Sequence, residues 1–154
     1  MAKFDFRLQV LLNVKRQLEK SVKNELGIAI RELERQKAIL KEIQLDIASQ
    51  ENEYRKDGAR KIRVSKLRQR LEYLKAMYEK EDLQQQRVNE EIRNVDKIRA
   101  RLIEIMKEKK LLEKLREKEF DRFRKEQDRI ERVQVDELAG YAKYANEETE
   151  NIMS

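Results

Sequence analysis

Apolar residues recur at spacings of three and four along nearly the whole chain. The repeat is interrupted once, at Arg55-Lys56-Asp57-Gly58-Ala59. Such spacing places the apolar side chains on one face of an α-helix, and two helices of this kind bury those faces against each other. The sequence therefore predicts an all-α fold: a long antiparallel two-helix coiled-coil hairpin whose second helix overhangs the first.

The composition agrees with this fold class. Charged residues make up 44% of the chain, aromatic residues make up 6%, and proline is absent from all 154 positions. A high charge content with few aromatic residues is typical of coiled coils, and a proline inside a helix would cost about 3 kcal/mol. We expect few loops.

The positions of the breaks divide the chain into segments. We expect a single coiled-coil rod over residues 1–154, with helix one over about residues 4–56 and a turn over about residues 57–60. Helix two is predicted over about residues 61–145, followed by a frayed tail over residues 146–154. Folding at this turn would place residue 4 opposite about residue 112.

The line of side chains along which the helices meet, the seam, is predicted from the same pattern. In helix one it comprises Phe4, Leu8, Leu11, Leu18, Val22, Leu26, Ala29, Leu33, Leu40, Ile43, Ile47 and Tyr54. In helix two it comprises Val64, Leu67, Leu71, Leu74, Tyr78, Val88, Ile92, Val95, Leu102, Met106, Phe120, Phe123 and Ile130, with Glu81 and Gln85 as polar members. Between Val95 and Leu115 a second stripe of Ile98, Leu102, Ile105 and Leu112 competes, and the pattern leaves the register open there.

One irregularity stands out in the seam of helix one. Leu18, Val22 and Leu26 are separated by four and four residues, a stutter that locally relaxes left-handed supercoiling. Gly27 lies beside it and indicates either a close approach of two backbones or a tolerated glycine.

The residue types exclude most catalytic chemistry. His and Cys are absent, which removes imidazole bases, thiolate nucleophiles and the usual zinc ligands. The glycines at positions 27, 58 and 140 lie too far apart for a phosphate-binding loop. We expect no enzyme activity, no catalytic residue, no cofactor and no metal. No apolar run approaches the roughly 18 residues that a membrane span needs, so a cytoplasmic location is expected.

Positive charge is concentrated at the predicted bend. We define the basic cap as Arg55, Lys56, Arg60, Lys61, Arg63, Lys66, Arg68 and Arg70. Asp57 is the one acidic residue in that stretch. Such a cap attracts an acidic protein, an anionic lipid surface or nucleic acid, or it keeps the tip soluble, and the sequence does not choose among these. Specific nucleic-acid binding is not expected, because no aromatic residues are interleaved with the basic ones.

Three segments, in this order and spacing, carry a resemblance to a known family. They are Phe4-Asp5-Phe6-Arg7-Leu8-Gln9-Val10-Leu11-Leu12 followed by Lys15-Arg16 and Glu19, then Gln50-Glu51-Asn52-Glu53-Tyr54-Arg55, then Asp136-Glu137-Leu138-Ala139. On these residues the chain resembles, over its whole length, the FliJ family of coiled-coil proteins from the flagellar type III export apparatus.

The resemblance implies a non-enzymatic stalk and escort protein, similar to the central stalk of rotary ATPases. It would insert into the FliI-type export ATPase ring, promote its assembly, contact the FlhA-type export gate and cycle the export chaperones. The resemblance also implies a cytoplasmic location with peripheral association to the inner membrane through the export apparatus. As a folded hairpin, the chain is expected to be a monomer.

Two surfaces follow from the resemblance. The gate-facing set, called here the hairpin surface, is Ile43, Ile47, Gln50, Tyr54, Leu67, Leu71, Leu74 and Tyr78. The ring-facing set, called the terminal surface, is Phe4, Leu8, Leu11, Phe120, Phe123, Ile130 and Leu138. The competing interpretation of the hairpin surface is that its aliphatic members simply pack against each other in the seam. Tyr54 and Tyr78 are the better candidates for an exposed role, since tyrosine tolerates partial wetting.

Other functions stay open. The chain could be the corresponding stalk of a virulence type III secretion system or of a V-type ATPase. A homodimeric structural coiled coil is a second alternative, and a binder of nucleic acid or anionic membranes is a third.

Overall fold

The computed structural model describes residues 2–153, which form two α-helices joined by a short turn. Helix α1 runs over Gln9–Ala59 and helix α2 over Val64–Met153. The two helices pack against each other, and they run antiparallel because the residue facing α1 moves back along α2 as α1 advances, from Arg101 at Glu25 to Gln84 at Gln36 and Arg70 at Gln50. The predicted all-α helical hairpin is confirmed.

The helix ends differ from the predicted ones. Helix α1 begins at Gln9 rather than near residue 4, and α2 continues to Met153 through the segment predicted to fray. The turn lies at residues 60–63 rather than 57–60 because Gly58 is helical, whereas Lys61 adopts the left-handed conformation at φ 55°. A left-handed residue just past the last turn of a helix, here two positions after Ala59, is a common way for the helix to end.

The chain divides into two compact units, one of residues Leu18–Ile105 and one in which the residues up to Gln17 join those from Met106 onward. In Leu18–Ile105, one apolar cluster lies nearer the bend, and Ile43, Ile47, Leu74 and Met77 form it. A larger cluster follows, made by Val22, Ala29, Leu33, Leu40, Val88, Val95, Ile98 and Ile105.

The seam of α1 in this unit is a continuous heptad repeat, and the predicted stutter is wrong. Glu19 is buried where Leu18 was expected, and Leu18 is exposed. The intervals from Glu19 to Val22 and on to the half-buried Leu26 are therefore three and four. Gly27 makes no close backbone approach, since a Cβ atom there would meet nothing within 4 Å.

The open register in α2 is resolved in favour of the second stripe. Ile98, Ile105 and Leu112 are buried, whereas Ile92 and Met106 are exposed. Gln84 is buried in the place predicted for Gln85, and Met77 is a core residue that the pattern did not include. Val64, Leu71 and Tyr78, which the pattern placed in the seam, are exposed.

The unit that contains the chain ends has its own aromatic contact. The ring of Phe4 meets the ring of Phe120 edge-on at 5.2 Å and that of Phe123 at 5.5 Å. Residue 4 thus faces a point about eight residues beyond the predicted position 112. The later turn explains most of this shift, because moving a turn along the chain moves the facing residue twice as far.

Buried apolar side chains of this unit include Phe6, Leu12 and Leu112. Phe6 and Leu12 are buried instead of the predicted Leu11, which is exposed. No helix within residues 2–153 is both long enough and apolar enough to span a lipid bilayer.

Candidate functional surfaces

The hairpin surface separates into core and exposed side chains. Ile43, Ile47 and Leu74 are buried and pack in one cluster with Met77. Gln50 and Leu67 are half-buried, and the Gln50 side chain accepts a hydrogen bond from Arg70 at 3.3 Å. These residues hold the two helices together, as the competing interpretation of this set expects for its aliphatic members.

Three members of the hairpin surface remain accessible. Tyr54 is 36% exposed, Leu71 is 44% exposed and Tyr78 is 43% exposed. Leu71 and Tyr78 are seven residues apart, which is two helical turns, so they lie on the same edge of α2. Tyr54, Leu71 and Tyr78 together form the accessible part of the hairpin surface.

Hydrogen bonds between the helices hold two tyrosines on opposite flanks of the α2 seam. The Tyr78 hydroxyl donates to Glu51, and the Tyr73 hydroxyl donates to Asp46 at 3.0 Å. The hydrogen bond to a carboxylate raises the pKa of each tyrosine above its usual value. Tyr73 was not predicted; recognising Met77 as a core residue would have placed Tyr73 beside the seam.

The terminal surface contains a compact aromatic group. Phe4, Phe120 and Phe123 contact one another through Phe4, and the guanidinium of Arg116 lies 5.5 Å from the centre of the Phe4 ring. Arg116 also donates to the Gln9 side chain at 2.9 Å. The structure therefore brings the N-terminal member Phe4 of the terminal surface into contact with its α2 members Phe120 and Phe123.

The other members of the terminal surface differ in accessibility. Leu8 is half-buried, whereas Leu11 and Ile130 are exposed. Leu138 is 70% exposed and lines a shallow groove on α2 with Gln134, Glu137 and Tyr141. From residue 131 to residue 153 every described residue of α2 is exposed, so its apolar side chains there are accessible to a partner.

The basic cap surrounds the turn. All of its members are exposed except Arg70, whose guanidinium lies 2.7 Å from the buried carboxylate of Asp57. Lys56 lies 3.9 Å from Glu53. Asp57, the one carboxylate within residues 55–70, is thus paired with Arg70, and the exposed members of the basic cap keep their positive charge.

Within residues 2–153, no three Asp or Glu side chains are grouped so that they could hold a metal ion. The described surfaces offer exposed aromatic and aliphatic side chains at two places and a cluster of cations at a third.

Comparison with known proteins gives the family. The family described as Flagellar FliJ protein matches residues 4–148, nearly the whole chain. Neither the curated proteins nor the solved structures contain a match to this chain. The matched span includes all three segments that carry the resemblance and every residue of the hairpin and terminal surfaces. The chain therefore belongs to the FliJ family and is a component of the flagellar export apparatus.

Proposed function

We propose that this chain is a non-enzymatic stalk and escort protein of flagellar export. It inserts into the export ATPase ring and promotes ring assembly, contacts the export gate and cycles export chaperones. Family membership over residues 4–148 is the observation that carries the proposal. Because the matching family is flagellar, we favour this role over a stalk in a virulence secretion system or a V-type ATPase.

The terminal surface is the proposed site of ring binding. The exposed apolar side chains of Leu11, Ile130 and Leu138 can be buried by a partner, which supplies binding energy in proportion to the apolar area removed from water. The ring then changes conformation or assembles because the protein binds one state of it better than another. No active site in the stalk itself is needed for such an effect.

The accessible part of the hairpin surface is the proposed site of gate binding. Tyr54, Leu71 and Tyr78 offer partly exposed side chains, and tyrosines are favoured at interfaces because they combine apolar area with a polar hydroxyl. Ile43, Ile47 and Leu74 support this surface from the core instead of touching the gate.

A titration of purified FliI-type ATPase tests the ring proposal. The wild-type protein should increase ring formation and turnover, and the variant Ile130→Ser with Leu138→Ser should lose most of that effect. The matched control is Ile28→Ser with Leu83→Ser, two side chains that are each 62% exposed and lie outside the terminal surface. Equal activation by both variants, or none by the wild type at any ratio, would contradict the proposal.

A binding assay with the cytoplasmic part of an FlhA-type gate tests the second surface. Leu71→Ser and Tyr78→Ala should each weaken binding roughly tenfold, because interface side chains of this size contribute about 1 to 2 kcal/mol. Leu83→Ser on the same helix should bind like the wild type. Binding of both variants like the wild type, or an equal loss in the control, would refute the assignment.

The remaining parts of the proposal concern location and assembly. We place the protein in the cytoplasm, peripherally associated with the inner-membrane export apparatus, and we propose that it is a monomer. The antiparallel pairing of α1 with α2 within one chain supports the monomer, because the seam is filled without a second copy. Light scattering should give the mass of one chain; twice that mass would support a homodimeric coiled coil.

A further inference from the structure

The positive excess of this chain resides in one segment. Eight of the 37 Lys and Arg residues fall within residues 55–70, but only one of the 31 Asp and Glu residues does. The rest of the sequence therefore holds 29 basic and 30 acidic residues, close to neutrality, while the whole chain carries +6. A purely solubilising charge would not need such concentration.

The cations of the basic cap are available to a ligand. Arg60, Lys61, Arg63 and Lys66 are exposed and lie in the turn and the first turn of α2. Asp57, the acidic residue within the cap, is buried against Arg70 and is not positioned to neutralise them. No acidic residue occurs in the first turn of α2. A dense anionic surface would meet little opposing negative charge here.

Apolar side chains are interleaved with these cations. Val64, which directly follows Arg63, is 68% exposed. Ile62, between Lys61 and Arg63, is half-buried within the turn. Exposed aliphatic groups among basic residues suit the boundary between lipid headgroups and acyl chains, where both kinds of group are stabilised.

We propose that the basic cap binds the surface of an anionic phospholipid membrane directly. The Lys and Arg side chains contact the headgroup phosphates, and Val64 enters the interfacial layer. Clusters of four to eight basic residues are typical of such sites. Nucleic acid fits less well because residues 55–70 contain no aromatic side chain for base stacking, and an exposed valine gains nothing beside a phosphate backbone. The inference goes beyond the proposed function, since it requires neither the ring nor the gate.

Vesicle flotation tests the charge component. At about 0.15 M salt the full chain should bind vesicles containing phosphatidylglycerol but not pure phosphatidylcholine. The cap variant combines Arg60→Gln, Lys61→Gln, Arg63→Gln and Lys66→Gln. It should bind at least about 100-fold more weakly, since each basic residue contributes about fivefold. The matched control carries the same charge change at exposed positions outside the cap, namely Lys20→Gln, Arg31→Gln, Arg93→Gln and Arg99→Gln.

A tryptophan probe tests the apolar component independently. The chain has no Trp, so Val64→Trp introduces a single reporter at the cap. Its emission should shift to shorter wavelength on phosphatidylglycerol vesicles, whereas Leu83→Trp, at an equally open position, should not respond.

Three results would overturn the proposal. The first is equal loss of vesicle binding in the cap variant and the control, which would show a net-charge effect. The second is an unchanged emission of the Val64→Trp protein on the anionic vesicles. The third is tighter binding to an RNA oligonucleotide or to polyglutamate than to vesicles at equal anionic charge, which would assign the cap to a different class of partner.

Discussion

The most informative individual residues are two buried glutamines in the seam. The Gln84 side-chain amide donates to the backbone carbonyl of Gln36 at 2.9 Å and to its side-chain oxygen at 2.7 Å. The Gln36 amide in turn donates to Glu32 at 2.9 Å. A buried polar group is tolerated only when it is hydrogen-bonded, so this pair favours the one register in which the two residues meet.

Replacing one glutamine should therefore cost more than replacing both. We expect Gln84→Leu to destabilise the fold by about 1 to 3 kcal/mol, because it leaves the Gln36 side-chain oxygen buried without a donor. The double variant Gln36→Leu with Gln84→Leu should recover most of that loss. Urea unfolding measures both values, and a double variant whose loss equals the sum of the two single losses would argue against a coupled pair.

Glu32 supplies a pH-dependent contribution. The hydrogen bond from Arg35, assisted by one from Gln36, lowers the Glu32 pKa from 4.5 to about 2. On acidification the Glu32 carboxylate is protonated in the unfolded chain before it is protonated in the folded one. Its contribution to stability is therefore fully present above about pH 4.5 and is lost as the pH falls towards 2. The stability difference between wild type and Glu32→Gln should shrink across this window in thermal melts. A difference that stays constant would contradict the assigned cause.

At the scale of the helices, the turn and the flanks of the seam decide how the elements meet. The sequence pattern located both helices but assigned the bend to Gly58, because glycine is the usual residue where a helix ends. The structure keeps Gly58 helical and uses Lys61 in the left-handed conformation instead. Nothing in the local residue types marks a lysine for that role, so the bend could be placed only approximately.

The same limit applies to the seam of α2. Leu71, Ile92 and Met106 are apolar and follow the heptad spacing, yet they lie on the flank beside the buried line. Two parallel apolar lines cannot be ranked from one helix alone, because the choice depends on which line meets the partner helix. Both lines contain polar residues, Glu81 and Gln85 in the predicted line and Gln84 in the buried one, so polarity did not rank them either.

The conformation of Lys61 leads to a test at the turn. A non-glycine residue in the left-handed region costs roughly 1 kcal/mol, so Lys61→Gly should stabilise the protein by about that amount. Lys61→Ala removes the same charge while keeping the strain, and it is the matched control. Equal melting temperatures for the two variants would show that the backbone conformation contributes nothing.

At the scale of the whole molecule, the fold class and the family followed from the sequence, whereas the accessible residues followed only in part. Periodicity was enough to predict two antiparallel helices. Spacing alone could not separate Ile43, which is buried, from Tyr78, which is accessible, because both follow the same repeat. Residue type did separate them: Tyr54 and Tyr78 were expected to be the exposed members, and both are exposed. The assignments of the hairpin and terminal surfaces to particular partners remain predictions.

Everything proposed for this protein requires that one chain fold back on itself in the observed antiparallel register. The chain has no Cys, so a short bismaleimide cross-link between Glu25→Cys and Arg101→Cys, at the positions of an ion pair between the helices, reports this directly. We predict rapid cross-linking within a single chain, and none for the control pair Glu25→Cys with Tyr73→Cys. Cross-linking mainly between two chains, or equal cross-linking of both pairs, would contradict the hairpin.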